Sequence, residues 1–167
     1  ASGKSLGSFS LSEPHSGSDA SNMKTFARRE SSDFVINGTK NWVTNGTSSD
    51  IVILLCLTKK NVGYKGISAF IVEKTFDGLN TGNKENKLGI RGSDTCEIYF
   101  DNCKVPSKNL IASEGEGFRI ALDILNGGRI GIATQALGIA QESLDRSIQY
   151  AKEREQFGKS ISDFGII

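Results

Sequence analysis

Phe34-Val35-Ile36-Asn37-Gly38-Thr39-Lys40-Asn41-Trp42-Val43-Thr44 is the stretch that decides how this chain is read. β-branched and aromatic residues lie on both sides of an Asn-Gly pair, and that pair suits a two-residue turn with positive φ at both positions. The stretch therefore predicts a hairpin, with strands at 34–36 and 39–44. Side chains alternate along a strand, so Trp42 and Thr44 share one face and Val43 takes the other. Outward from the hairpin, strands are predicted at 6–12, 24–29, 51–58, 67–73 and 95–100, most of them separated by Gly, Asn or Asp. Ile51-Val52-Ile53-Leu54-Leu55 is apolar on both faces and reads as an interior strand.

After Pro106 the period lengthens. Ser113-Glu114-Gly115-Glu116 fits a capping box, in which a Ser and the Glu three residues on satisfy each other's backbone donors, and it predicts the start of a helix. Phe118, Ala121, Leu122 and Leu125 form one apolar face up to Asn126-Gly127-Gly128, where two poor helix formers predict a break or kink. Beyond it, Ile130, Ala133, Leu137, Ala140, Leu144, Ile148 and Ala151 recur at steps of three and four. Arg146, Gln149, Lys152 and Glu153 occupy the wetter side of this long amphipathic helix. The expected class is α+β: an antiparallel β-barrel or two-sheet domain over 1–112, then helices of an incomplete helical bundle over 113–167. The stripe of the long helix needs partners that the short remaining tail does not supply. Together with the missing initiator Met and the apolar end, this reads as an internal piece of a larger protein.

Composition narrows the function classes. The 167 residues are 37% hydrophobic and 23% charged, the balance of a soluble globular protein. Twenty Lys and Arg against 19 Asp and Glu leave a net charge of +1, without the cationic excess that nucleic-acid binding draws on. The longest apolar run, 51–57, is too short to span a bilayer, and nothing in these residues reads as a secretory signal. Cys56, Cys96 and Cys103 lack metal-ligand spacing and read as buried free thiols in a reducing compartment; the single His15 has no companion ligands. The sequons at Asn37 and Asn45 read as turns, and Lys59-Lys60 and 84–87 as solvated loops.

The Gly- and Ser-rich loop 12–19 follows a predicted strand but matches neither the dinucleotide fingerprint nor the Walker pattern. On spacing alone it is a structural turn. Five segments taken together carry a stronger signal. They are Phe9-Ser10-Leu11-Ser12-Glu13-Pro14-x-x-Gly17-Ser18-Asp19, Asn37-Gly38-Thr39-Lys40-x-Trp42-Val43-Thr44-Asn45, Lys87-Leu88-Gly89-Ile90-Arg91-Gly92-Ser93, the run from Gly128-Arg129-Ile130-Gly131 to Ala140-Gln141, and Tyr150-Ala151-x-x-Arg154-x-x-Phe157-Gly158. In order and spacing they resemble the acyl-CoA dehydrogenases, with the third and fourth most similar to the short-chain, butyryl-CoA branch. The resemblance covers essentially the whole chain: the family's middle β domain and the opening of its C-terminal helical domain.

That resemblance implies FAD as cofactor and α,β-dehydrogenation of a short-chain fatty acyl-CoA in β-oxidation. Electrons then pass to an electron-transfer flavoprotein. It assigns Phe9, Leu11 and Ser12 to the flavin edge, Gly17 and Ser18 to flavin and pantetheine, Trp42 to the ring, and Thr44 to the neighbourhood of N5. Arg154, Gln156 and Phe157 match the segment that contacts the FAD of a neighbouring subunit, which implies a homo-oligomer, a dimer or a tetramer. Asn126, Gly127, Gly128 and Arg129, with Ser18, match segments that touch acyl-CoA, and Asn126 replaces the family's usual acidic residue. No catalytic carboxylate is expected in the chain: position 128, where some branches carry the base, is Gly, and other branches place it beyond Ile167. Glu97, Glu114 and Glu116 read as solvent-facing or capping. The implied location is the mitochondrial matrix in a eukaryote and the cytoplasm otherwise. The rival readings are an acyl-CoA oxidase, a branch with another acyl preference, and a flavin- or CoA-thioester-binding module without chemistry.

Overall fold

A computed structural model describes residues 2–165. In chain order its strands are β1 (Gly7–Ser10), β2 (Phe26–Glu30), β3 (Asp33–Thr44), β4 (Ile51–Leu57), β5 (Ile67–Glu73), β6 (Leu79–Thr81), β7 (Thr95–Pro106) and β8 (Leu110–Ile111). Helix α1 (Gly117–Glu153) follows, then β9 (Glu155–Gln156) and β10 (Lys159–Ser160). The chain divides into two units, 1–122 and 123–167.

In the first unit β1 to β8 join one hydrogen-bonded sheet in the order β6-β7-β3-β2-β4-β5-β8, with β1 added to β4. The α+β class holds, and the sheet stays open rather than closing as a barrel. It is also mixed: β1 runs parallel to β4 from Gly7↔Ile51 to Ser10↔Leu54, and β2 meets β4 in parallel at the single pair Phe26↔Leu57. That one pair is the corner between two layers. The Phe34 ring on β3 and the Phe70 ring on β5 lie 4.9 Å apart edge to face, although β2 and β4 separate their strands in the sheet. Neighbouring strands are about 4.8 Å apart, so the contact requires the sheet to fold over on itself.

The core lies between the layers and on one outer face. Ile36, Val43, Ile98 and Val105 of β3 and β7 pack against Val52, Leu54, Phe70 and Val72 of β4 and β5. The opposite faces of β4 and β5, through Leu55, Ile67 and Ala69, pack with Met23 and with Ala121 at the start of α1. β4 is therefore buried on both faces, as its unbroken apolar run predicts. Cys56, Cys96 and Cys103 are buried free thiols. Burial pushes the Cys56 thiol up to about 12 and the Cys103 thiol up to about 11.

The predicted hairpin at Asn37-Gly38 is absent, and its two strands form the single strand β3. The turn lies instead at Ser31-Ser32, where β2 and β3 pair from Glu30↔Asp33 to Phe26↔Asn37 and Ser31 has φ 52°. Gly38 serves close approach rather than a turn. Its φ is +148°, and a Cβ there would sit 2.6 Å from Thr25 Cα, in a register shift of the β3–β7 pairing. β7 runs six residues further than the expected 95–100 strand.

Of the predicted break or kink at Asn126-Gly127-Gly128, the break is absent: helical structure continues through all three residues. Each Gly costs about 1 kcal/mol relative to Ala but keeps its N–H donor, unlike Pro. Arg129 Nη1 also donates to Asn126 Oδ1 at 2.7 Å, one turn back. Glu116 Oε2 accepts from the Ser113 N–H at 3.0 Å, but α1 begins only at Gly117 and Gly115 has φ 87°, so 113–116 is a turn ahead of the helix and not its capped first turn. The wetter face carries i,i+4 links, Arg146 to Glu142 and Gln149 to Glu153. After α1, β9 and β10 form a short hairpin whose tip holds Phe157 at φ 53°. No helix among the described residues is long and apolar enough to cross a membrane.

Candidate functional site

In the first unit the candidate site grows from the point where loop 11–16 meets β3. The Asn41 N–H donates to the Ser12 carbonyl at 2.8 Å, which brings Ser12 to the residue next to Trp42. A second register shift between Lys40 and Val43 puts two residues, Asn41 and Trp42, where one would pair. Trp42 has φ 58°, and its N–H is taken by Asn41 Oδ1 at 3.0 Å. A bulky residue in the left-handed region costs about 1–2 kcal/mol, and here it turns an indole outward: Trp42 is 61% exposed while Val43 beside it is buried. Thr44 is exposed on the same side as Trp42, as alternation predicts. Phe9, Leu11 and Ser12 are half-buried, and Gly17 and Ser18 are exposed in the loop that follows.

Beneath this surface lies a charge pair that the sequence reading passed over. Lys40 and Glu13 are both fully buried, with Lys40 Nζ 2.9 Å from Glu13 Oε1 and 2.8 Å from the Leu11 carbonyl. Glu13 Oε2 accepts from the Lys24 N–H at 2.6 Å, and Oε1 accepts from the Thr25 N–H at 3.0 Å. Glu13 and Ser16 also exchange backbone hydrogen bonds of 2.7 and 3.1 Å around Pro14-His15. Burial raises the Glu13 carboxyl, but Lys40 and the bonds from Thr25 and Lys24 outweigh it and hold it below the usual glutamate value. Burial lowers the Lys40 ammonium, and the attraction of Glu13 only partly offsets this. The pair escaped notice because strict alternation puts Lys40 on the outward face with Trp42. The bulge between them reverses the parity and turns Lys40 inward.

The remaining carboxylates of interest are engaged. Glu116 binds Ser113 and Arg119, Glu114 pairs with Arg29 at 2.6 Å, and Glu97 accepts from the Tyr99 hydroxyl. Among the described residues no group of three or more His, Cys, Asp or Glu side chains gathers as a metal would require.

The other predicted residues belong to the second unit. Asn126 and Arg129 bond to each other on α1, and a Cβ added at Gly127 or Gly128 would meet nothing within 4 Å. Arg154 and Gln156 are exposed, and Phe157 projects from the β9–β10 tip with its ring 6.2 Å from that of Phe164. The structure thus joins Leu11 and Ser12 to Trp42 and Thr44 in one unit, and Arg154, Gln156 and Phe157 on one hairpin in the other.

Two family models match the chain: acyl-CoA dehydrogenase, middle domain, over residues 8–103, and acyl-CoA dehydrogenase, C-terminal domain, over residues 115–167. The chain is 52% identical over 162 residues to an acyl-CoA dehydrogenase of Bacillus subtilis (strain 168), an alignment that covers 97% of this chain and 43% of the relative. Its fold superposes on butyryl-CoA dehydrogenase from Megasphaera elsdenii with a TM-score of 0.93 and 45% identity, covering 96% of this chain and 42% of that one. A structure described as an electron transferring flavoprotein of Acidaminococcus fermentans matches with a TM-score of 0.94 and 47% identity, over 98% of this chain and 43% of that one. The chain spans less than half the length of the relatives it matches.

Proposed function

Because the chain belongs to the acyl-CoA dehydrogenase family, we propose that it forms the flavin-facing middle and early helical part of an FAD-dependent, short-chain acyl-CoA dehydrogenase of β-oxidation. The observation that carries this reading is the outward-turned Trp42, with Thr44 on the same side and the Leu11-Ser12 backbone tied one residue away. An exposed indole held in a costly backbone conformation suits a planar aromatic ligand. When bound, FAD supplies the acceptor for the hydride that leaves the β-carbon of the acyl-CoA.

The chain's own residues then have distinct tasks. Phe9, Leu11 and Ser12 line the flavin edge, Trp42 covers the ring and excludes water, and Thr44 offers a hydroxyl beside it. Gly17 and Ser18 leave room for the pantetheine arm. Asn126, Gly127, Gly128 and Arg129 serve the acyl-CoA, and the small residues allow close approach. Asn126 engages Arg129 within the chain, so its amide orients that guanidinium in place of an acidic side chain. Arg154, Gln156 and Phe157 serve the FAD of a second subunit in a homo-oligomer, where a guanidinium suits a pyrophosphate. Glu13, Glu97, Glu114 and Glu116 are committed to the partners described above, and the family resemblance, with Gly at position 128, assigns the carboxylate that takes the α proton to a position outside residues 1–167. The electron acceptor is an electron-transfer flavoprotein, a reading favoured by the similarity to the Acidaminococcus fermentans structure.

The test is the visible flavin spectrum of the chain mixed with FAD, before and after anaerobic addition of butyryl-CoA. The expected outcome is a perturbed spectrum that butyryl-CoA does not bleach. Bleaching would show that a base lies within residues 1–167, and an unperturbed spectrum would count against the flavin site.

A further inference from the structure

We propose that the buried Glu13–Lys40 pair is a positioning device for the cofactor: through the Leu11 carbonyl, Lys40 sets the direction of the Ser12 N–H beside Trp42. The proposal rests on the flavin-binding reading above. Three stretches of chain meet at this pair. Lys40 Nζ reaches loop 11–16 through the Leu11 carbonyl at 2.8 Å, and the Glu13 carboxylate holds the Lys24 and Thr25 amides at 2.6 and 3.0 Å. β3 supplies both Lys40 and the Asn41 N–H, which takes the Ser12 carbonyl at 2.8 Å.

Stability alone does not account for this arrangement. A buried ion pair is often replaceable by well-packed apolar side chains at no loss, because the desolvation of two charges offsets their attraction. Apolar side chains cannot aim a peptide group, whereas an ammonium at hydrogen-bond distance from a carbonyl can. The peptide unit is planar and trans, so with the Leu11 carbonyl directed at Lys40 the Ser12 N–H points the opposite way. Two successive carbonyls, of Leu11 and Ser12, are thus fixed by two successive residues of β3, and the next residue but one along β3 from Lys40 is the exposed Trp42. Loop and indole are held in one frame, and Lys40 is its inner fastening. Lys40 lies on the inward side of the bulge and Trp42 on the outward side, so Lys40 acts on the cofactor through Leu11 and Ser12 and is not itself a catalytic residue.

The test uses the full-length protein, titrated with FAD and followed by visible absorbance and by flavin reduction potential. Lys40→Met is one variant. The double variant Glu13→Gln/Lys40→Met is the second: it buries no unpaired charge, its glutamine carbonyl still accepts from one of the two backbone amides, and it decides the matter if the single variant does not fold. The expected result in folded protein is FAD binding weakened by about tenfold or more, equivalent to the loss of one charge-assisted hydrogen bond. A changed flavin band shape and a shifted potential accompany it. A lower melting temperature with unchanged FAD affinity, band shape and potential would show that the pair only supports the fold and would overturn the proposal. If the unsubstituted protein itself fails to bind FAD, the flavin reading falls, and this inference falls with it.

Discussion

Val52 and Leu54 on β4 are fully buried, whereas Ile130 and Leu137 on α1, of similar hydropathy, are 72% and 70% exposed. Both pairs belong to regular, fully hydrogen-bonded elements, so backbone structure does not separate them. The difference is what lies opposite. In the first unit the sheet folds at the Phe26↔Leu57 corner and presents its own β3–β7 layer to β4 and β5. In the second unit the helix builds its stripe from local spacing, and among the described residues Ile130, Leu137, Leu144 and Ile148 stay exposed while only its end, at Ala151, is buried. Periodicity therefore states which face is to be covered, and only long-range pairing covers it.

Substitutions can break or sharpen that contrast. The largest expected effect is Lys40→Met in the 167-residue chain, which leaves Glu13 buried and unpaired and lowers stability by about 3–5 kcal/mol. Leu137→Ala on the exposed stripe changes stability by less than about 0.5 kcal/mol. Urea unfolding of both variants measures the gap, and comparable losses would erase the distinction between the two units.

Glycines give the next contrast, with opposite signs. Gly38→Ala drives a methyl to 2.6 Å from Thr25 Cα at φ +148°, and costs about 1–3 kcal/mol by overpacking. Gly128→Ala meets nothing within 4 Å, and gains about 1 kcal/mol of helix propensity. Thermal melts that rise for the second and fall for the first would confirm that the sheet is closely packed where the helix is open.

The smallest effect is a pH dependence confined to the first unit. The Glu13 carboxyl is held below its ordinary value of 4.5 in the folded chain, so between the two values the unfolded state binds more protons than the folded one. The contribution of Glu13 to stability is complete above about 4.5 and is lost as pH falls through the depressed folded value. Urea midpoints measured from neutral to acid pH are expected to fall across that window, and to fall less in Glu13→Gln. An identical acid limb in the two proteins would mean that the Glu13 carboxyl is not held below its ordinary value in the folded chain.

Much of this was legible in advance. The strand at 51–57 and its interior place follow from an apolar run on both faces, and the 67–73 strand has the observed bounds. A helix after Pro106 follows from the apolar spacing, although it starts at Gly117 rather than at the capping box read at Ser113, and the outward position of Trp42 and Thr44 relative to Val43 was also readable. The hairpin was misplaced because Asn-Gly is the stronger local turn signal, yet the chain turns at Ser31-Ser32 and uses Gly38 for contact with Thr25. The break at Gly127-Gly128 was expected from propensity alone, which a long run of helical hydrogen bonds overrides. Glu13 and Lys40 were missed because a bulge reverses alternation without marking the sequence.

By itself the sequence determined the order of elements, the change from short to long period after Pro106, and which residue types gather in loop 12–19 and at Trp42 and Thr44, since these depend on neighbours along the chain. Only the tertiary structure decided that the sheet is mixed and folds at one corner, that the loop is tied to β3 through Asn41, and that a lysine rather than an apolar residue fills the space beneath. Those outcomes depend on partners 25 or more residues apart, whose pairing no local propensity encodes and whose burial repays the cost of ordering them.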